Sequence, residues 1–170
     1  MKMLKDKPLL TKAFLNFFKK LNNKNKTYLE IGSGYSTLYF SKYFKNVVSL
    51  ENDKIWFNKI KKEKPKNVKL NLFNKDNIGD ILLKELNKKP EYVMIDNNPH
   101  HISRFDFAKF VNDNKKNDCI ILLDNGPWNM EAFNFLRQNY FCLDFFGDRY
   151  DNKTSVTSVF FTEKNYRLLY

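Results

Sequence analysis

Five stretches of this chain place acidic or amide side chains directly after an apolar run: Glu30-Ile31-Gly32-Ser33-Gly34, Glu51-Asn52, Asn74-Lys75-Asp76, Asp96-Asn97-Asn98 and Asp124-Asn125. Carboxylates in such positions can accept hydrogen bonds from hydroxyl groups, hold hard cations or exchange a proton. Gly32 and Gly34 let the backbone turn tightly against a ligand. Glu51 follows Gly32 by 19 residues, the spacing at which a carboxylate meets ribose hydroxyls. The pattern points to a nucleoside-containing ligand, although glycines after a strand can also simply make a turn. A dinucleotide site would want a third glycine where Thr37 stands. Glu30 would also repel a pyrophosphate; it suits a ligand that carries an ammonium group. The only two histidines, His100 and His101, follow Pro99. Imidazole is a competent base near neutral pH. A helix cap, a surface pair or a transition-metal site are the other readings of the pair.

Strands must bring these groups to one rim. Apolar runs at 27–31, 46–50, 68–73, 91–95, 118–123, 140–146 and 155–162 supply them. Helical periodicity at 36–44, 53–63, 78–87, 102–112 and 128–138 fills most of the gaps. Such alternation is the pattern of a parallel sheet covered on both faces. Only GDRYDNKT separates the last two runs, so they should pair antiparallel at one edge of a seven-stranded α/β sheet. Ligands of such sheets bind beyond the carboxyl ends of the strands, where the five polar stretches fall. Ahead of the first strand, Leu10, Phe14, Phe17, Phe18 and Leu21 recur at helical spacing. We therefore expect a helix and loop (1–26) packed on one domain (27–170). The phenylalanine stripe either covers the sheet or offers a homodimer contact.

A chain of 170 residues can bury roughly 70% of its unfolded surface as one domain. A hydrophobic content of 42% excludes a disordered chain. No run approaches the ~18 apolar residues of a membrane span, and no cleavable leader is evident. Cys119 and Cys142 stand in apolar surroundings and read as buried thiols of a reducing compartment. A cytoplasmic protein is expected. The net charge of +11 fits a nucleic-acid partner. It also fits a compositional bias toward Lys, Asn, Phe and Ile, because the lysines are scattered over the chain.

EIGSGYST (30–37) and SLEND (49–53) resemble motif I and the ribose-binding acid of class I S-adenosylmethionine-dependent methyltransferases, over about residues 27–162. The resemblance implies a three-layer, Rossmann-like α/β fold: a seven-stranded sheet, mostly parallel, with an antiparallel C-terminal hairpin strand. It implies S-adenosylmethionine as cofactor. Glu30, Gly32, Ser33, Gly34, Ser36 and Thr37 would surround its methionine part. Glu51, with Asn52 beside it, would bind the ribose, and Asp76 would lie near the adenine amino group, a role Asn74 or Asn77 could also fill. Trp56 could cover the adenine or fill a helix core. CIILLDNGPW (119–128) resembles the DN…W segment of metal-dependent catechol-type and caffeoyl-CoA-type O-methyltransferases. That resemblance implies Asp96, Asp124 and Asn125 around Mg²⁺ or another divalent cation, which would lower the pKa of an acceptor hydroxyl. A helix N-cap is the other reading of Asp124 and Asn125.

Those families usually carry a lysine shortly after the first Asp. Here Pro99, His100 and His101 follow, so Asp96, His100 and His101 are the candidate catalytic residues, with Asp96 also touching the cofactor. The expected reaction is O-methyl transfer to an unidentified acceptor. NNPH (97–100) loosely resembles the Asn-Pro-Pro-aromatic loop of amino-methyltransferases, which keeps an N-methyltransferase acting on nucleic acid or protein as the alternative. A non-catalytic cofactor-binding subunit of a larger assembly is the third reading, since no long insertion forms a lid. Acids at every strand end speak against it.

Overall fold

The computed structural model describes residues 7–21, 23–98, 102–115 and 118–169. Seven strands form one sheet: β1 (Thr27–Ile31), β2 (Asn46–Glu51), β3 (Val68–Leu72), β4 (Tyr92–Ile95), β5 (Ile120–Asp124), β6 (Phe141–Asp148) and β7 (Thr154–Phe161). Their order is β3-β2-β1-β4-β5-β7-β6. The first five pair in parallel. β7 inserts antiparallel between β5 and β6. The sheet is therefore mostly parallel, and its one antiparallel strand comes from the C-terminal hairpin. The central strands are buried on both faces. That is why they read as unbroken apolar runs with no alternation. The chain winds outward one way through β1, β2 and β3 and the other way through β4 and β5. The switch point between β1 and β4 opens a crevice at the carboxyl rim.

Helices α1 (Lys12–Phe18) and α2 (Tyr35–Phe40) pack on one face of the sheet, with α3 (Lys54–Glu63) beside α2. Helices α4 (Ile78–Leu86), α5 (Arg104–Asn114) and α6 (Met130–Asn139) cover the other face. Phe14 and Phe18 of α1 are buried against Phe40, Tyr28 and Tyr92; the Phe18 and Phe40 rings stand edge to face at 4.8 Å. Phe17 rests on Phe145 of β6, ring centroids 4.8 Å apart. The phenylalanine stripe thus covers the sheet. Among the described residues, no helix is long and apolar enough to cross a membrane.

Two helices are shorter than their periodicity suggests. α1 begins at Lys12 because Thr11 caps it, its Oγ1 accepting from the Phe14 N–H at 3.3 Å. α2 ends at Phe40 and residues 41–43 continue as turns. α5 starts at a firmer cap. Ser103 Oγ accepts from the Asp106 N–H at 3.0 Å and donates to the Asp106 carboxylate at 2.7 Å. Ser103→Ala should cost about 1 kcal/mol, measurable by chemical denaturation. The effect matters because Arg104, the first residue of α5, enters the site described next.

Candidate active site at the carboxyl rim of the sheet

Gly32 follows β1 with φ +97°, a conformation that side chains rarely adopt. A Cβ there would lie 2.5 Å from the Asp96 carbonyl oxygen and 2.7 Å from the Asn97 backbone. The glycine is needed both for the turn and for the approach of β4. The next residue is held from β2. One Glu51 carboxylate oxygen accepts from the Ser33 N–H at 2.8 Å, and the other accepts from the Asn52 and Asp53 N–H groups at 2.8 Å each. Burial raises the Glu51 pKa, and these three bonds oppose the rise. A carboxylate offers about four acceptor positions, so about one remains for a ligand. Trp56 of α3 closes the other side: its indole N–H donates to the Ser33 carbonyl, and its ring stands edge to face with Tyr35 at 5.8 Å.

Glu30 works beneath this loop. It is fully buried and accepts from the hydroxyls of Thr37, Ser49 (3.0 Å) and Tyr28 (3.4 Å). Thr37 Oγ1 also accepts from the Gly34 N–H at 3.0 Å. Burial pushes the Glu30 carboxyl up to about 7, against the pull of its hydroxyl donors.

At the ends of β4 and β5 the geometry turns on Arg104. Its Nε donates to the Asn97 carbonyl at 3.0 Å, one Nη to the Asp124 carbonyl, and the other Nη to the Asp96 carboxylate at 2.9 Å. Asp124 is buried, and the antiparallel register sets it opposite Thr157, whose hydroxyl donates to it at 2.9 Å. The Asn125 amide donates to its second oxygen. Burial, and then the nearby Asp96 charge, push the Asp124 carboxyl up to about 8, while Thr157, Arg104 and Arg149 hold it down. Asn125 is left-handed at φ 55° and makes no cap bond with its side chain. Its Oδ1 instead accepts from Ser155 of β7 at 2.6 Å.

Two cavities open on this rim. One, of about 640 Å³, is lined by Ser33, Gly34, Ser36, Asp96, Asp124 and Asn125, and also by Lys7, Arg104, Arg149 and Tyr150. The other, of about 620 Å³, is lined by Gly32, Ser33, Glu51, Asn52 and Asp96. Both share Ser33, Trp56, Asp96 and Asn98. The structure thus brings most of the expected residues together. Glu30, Thr37 and Asp76 line neither cavity. Glu30 and Thr37 are buried under the glycine loop, and Asp76 is exposed in a turn closed by Asn74 and Asn77. His100 and His101 lie outside the described residues. Arg104, Arg149, Ser155 and Thr157 escape the sequence reading. The available signals were an arginine at the start of α5 and another just after β6 in a lysine-rich chain, and hydroxyls in a strand too apolar to be exposed.

The expected divalent-cation set does not fit. Such an ion needs ionised oxygens free to converge on it. Asp96 is paired with Arg104, both Asp124 oxygens accept hydrogen bonds within the protein, and the Asn125 oxygen accepts from Ser155. Burial pushes the Asp124 carboxyl up to about 8 and so disfavours the ionised form that such an ion needs. Among the described residues, no group of three His, Cys, Asp or Glu side chains converges.

No protein-family model matches this chain. No curated protein matches it by sequence either. Solved structures do. An O-methyltransferase of Bacillus cereus, in complex with SAH, superposes with a TM-score of 0.62 at 13% identity, over 88% of this chain and 78% of that one. The chain has the fold of the class I methyltransferases. The O-methyltransferase TomG of Streptomyces achromogenes, in complex with SAM, gives 0.60 at 13% identity over 88% and 77%. The B. subtilis tRNA methyltransferase TrmK gives 0.59 at 13% identity over 91% and 68%. One fold thus serves an O-methyltransferase involved in tomaymycin synthesis and a tRNA methyltransferase, so the fold alone names no substrate.

Proposed function

We propose that this chain binds S-adenosylmethionine across the two cavities and transfers its methyl group to an oxygen nucleophile. The observation that carries the reading is the pair of cavities meeting at Ser33 and Asp96, with Glu51 in one and the open face of Gly34 in the other. The residues fit such a ligand. Glu51 keeps about one acceptor position for a ribose hydroxyl. A Cβ on Gly34 would meet only Ser36 Oγ at 3.5 Å and the Trp56 indole nitrogen at 3.9 Å, so the missing side chain leaves room for a ligand against the backbone. The partly buried Asp96 carboxylate faces both cavities and suits an ammonium group. Glu30 acts one step back, holding through Thr37 the loop that the ligand touches.

Bound there, the cofactor supplies a methyl group on a positive sulfur, which an in-line nucleophile displaces. The protein's part is positioning and exclusion of water. In the larger cavity Asp124 can exchange a proton near neutrality. Asp96 is the candidate catalytic residue within the described part of the chain. His100 and His101 remain proposed partners by sequence. The nucleic-acid reading draws on the +11 charge and on the tRNA methyltransferase among the neighbours. Incubation of the protein with methyl-labelled S-adenosylmethionine and fractionated cell extract tests both. Label in small organic molecules is the expected result. Label in RNA, falling steeply with salt, would move the second reading to the front, and no label in any fraction would sink both.

A further inference from the structure

In the larger cavity one basic side chain performs the structural task that a bound ion would perform. Arg104 is only 7% exposed, yet it lines the cavity. Three of its N–H groups donate to Asn97, Asp124 and Asp96 and so tie the carboxyl ends of β4 and β5 together. We propose that Arg104 is the positioning cation of the acceptor end, and that this site works without a divalent metal. The inference rests on the cofactor reading only for the word acceptor.

The physical argument has three parts. First, a planar guanidinium with a fixed fork of donors orients carboxylate and carbonyl groups together, a task a flexible ammonium performs poorly. Second, an ion entering between Asp96 and Asp124 would have to break the Arg104–Asp96 pair at 2.9 Å. It would then face two positive groups, because Arg149 lines the same cavity. Third, Asp96 without Arg104 would be a partly buried carboxylate lacking its partner, which is unfavourable. Three of the five guanidinium N–H groups are accounted for by these bonds, so two can reach a ligand. The class of acceptor follows. A metal site gathers a chelating diol; two guanidinium N–H groups suit a hydroxyl or a carboxylate.

The test uses the whole chain, with and without S-adenosylhomocysteine. Mg²⁺, Ca²⁺ and Mn²⁺ are titrated while heat and melting temperature are followed. Wild type should give no binding heat and no shift. Arg104→Met should melt several degrees lower and should gain a metal-dependent recovery, because the Asp96 carboxylate then lacks the cation it is paired with. Arg104→Lys keeps the charge and should show no metal response. Micromolar metal binding by wild type that Asp96→Asn removes would overturn the proposal. So would an Arg104→Met protein that melts with wild type. If Arg104→Met does not fold, a metal response in Arg104→Lys overturns it and its absence supports it. Loss of S-adenosylhomocysteine binding alone would sink the cofactor reading and leave the metal result standing.

Discussion

Gly32→Ala should cost at least about 3 kcal/mol of stability and remove ligand binding in both cavities. The cost has two sources. The left-handed φ of +97° disfavours any side chain by about 1 to 2 kcal/mol. The new Cβ would also sit 2.5 Å from the Asp96 carbonyl oxygen, so β1 and β4 would have to move apart at the switch point beside the two cavities. No flexible side chain can yield there, because the neighbours are backbone. Gly34→Ala is the control. Its φ of −169° is ordinary extended backbone, and its nearest neighbour would be 3.5 Å away. That variant should melt close to wild type and lose only ligand affinity. Equal melting temperatures for the two variants would show that Gly32 is not the constrained residue.

The second large effect is a fall in stability as pH rises. Glu30 has a folded pKa of about 7, above the usual carboxylate range near 4.3. Asp124 has one of about 8. A folded state that holds a proton more tightly than the unfolded chain gains stability below the unfolded pKa. It loses that stability as pH climbs through the folded one. For Glu30 the window runs from its ordinary value to about 7, and the loss amounts to about 4 kcal/mol at roughly 1.4 kcal/mol per unit. Asp124 adds to it in the same direction up to about 8. Denaturant titrations from about pH 5 to pH 8 should therefore show decreasing stability, the reverse of ordinary acid denaturation. Glu30→Gln, which keeps the shape and removes the charge, should flatten the slope. A wild-type curve that rises with pH would contradict the buried, hydroxyl-bound state of both acids.

The sheet was legible in the sequence because its strands are short apolar runs punctuated by polar ends. All seven begin and end within two residues of the expected bounds. The glycine loop and Glu51 were legible because one backbone requirement and one spacing define them. The β5 rim was not. Asp124 and Asn125 looked like metal ligands or a helix cap because only their neighbours in sequence were visible. The register that sets Thr157 opposite Asp124, and Ser155 within reach of Asn125, depends on β7 folding back between β5 and β6. No local signal records that pairing. Arg104 was hidden for the same reason, since its partners lie at the carboxyl ends of two strands, β4 and β5. Glu30 was read as facing a ligand because it precedes the glycines. The pleat turns it instead toward Thr37 and Ser49.

The measurement that tests the central claim most directly is calorimetric titration of S-adenosylhomocysteine into wild type and Glu51→Ala, both checked for folding by circular dichroism. Micromolar binding by wild type, weakened at least about tenfold in the variant, is the expected result. No binding to wild type, or equal binding to both proteins, would contradict a cofactor held at the glycine loop and the end of β2.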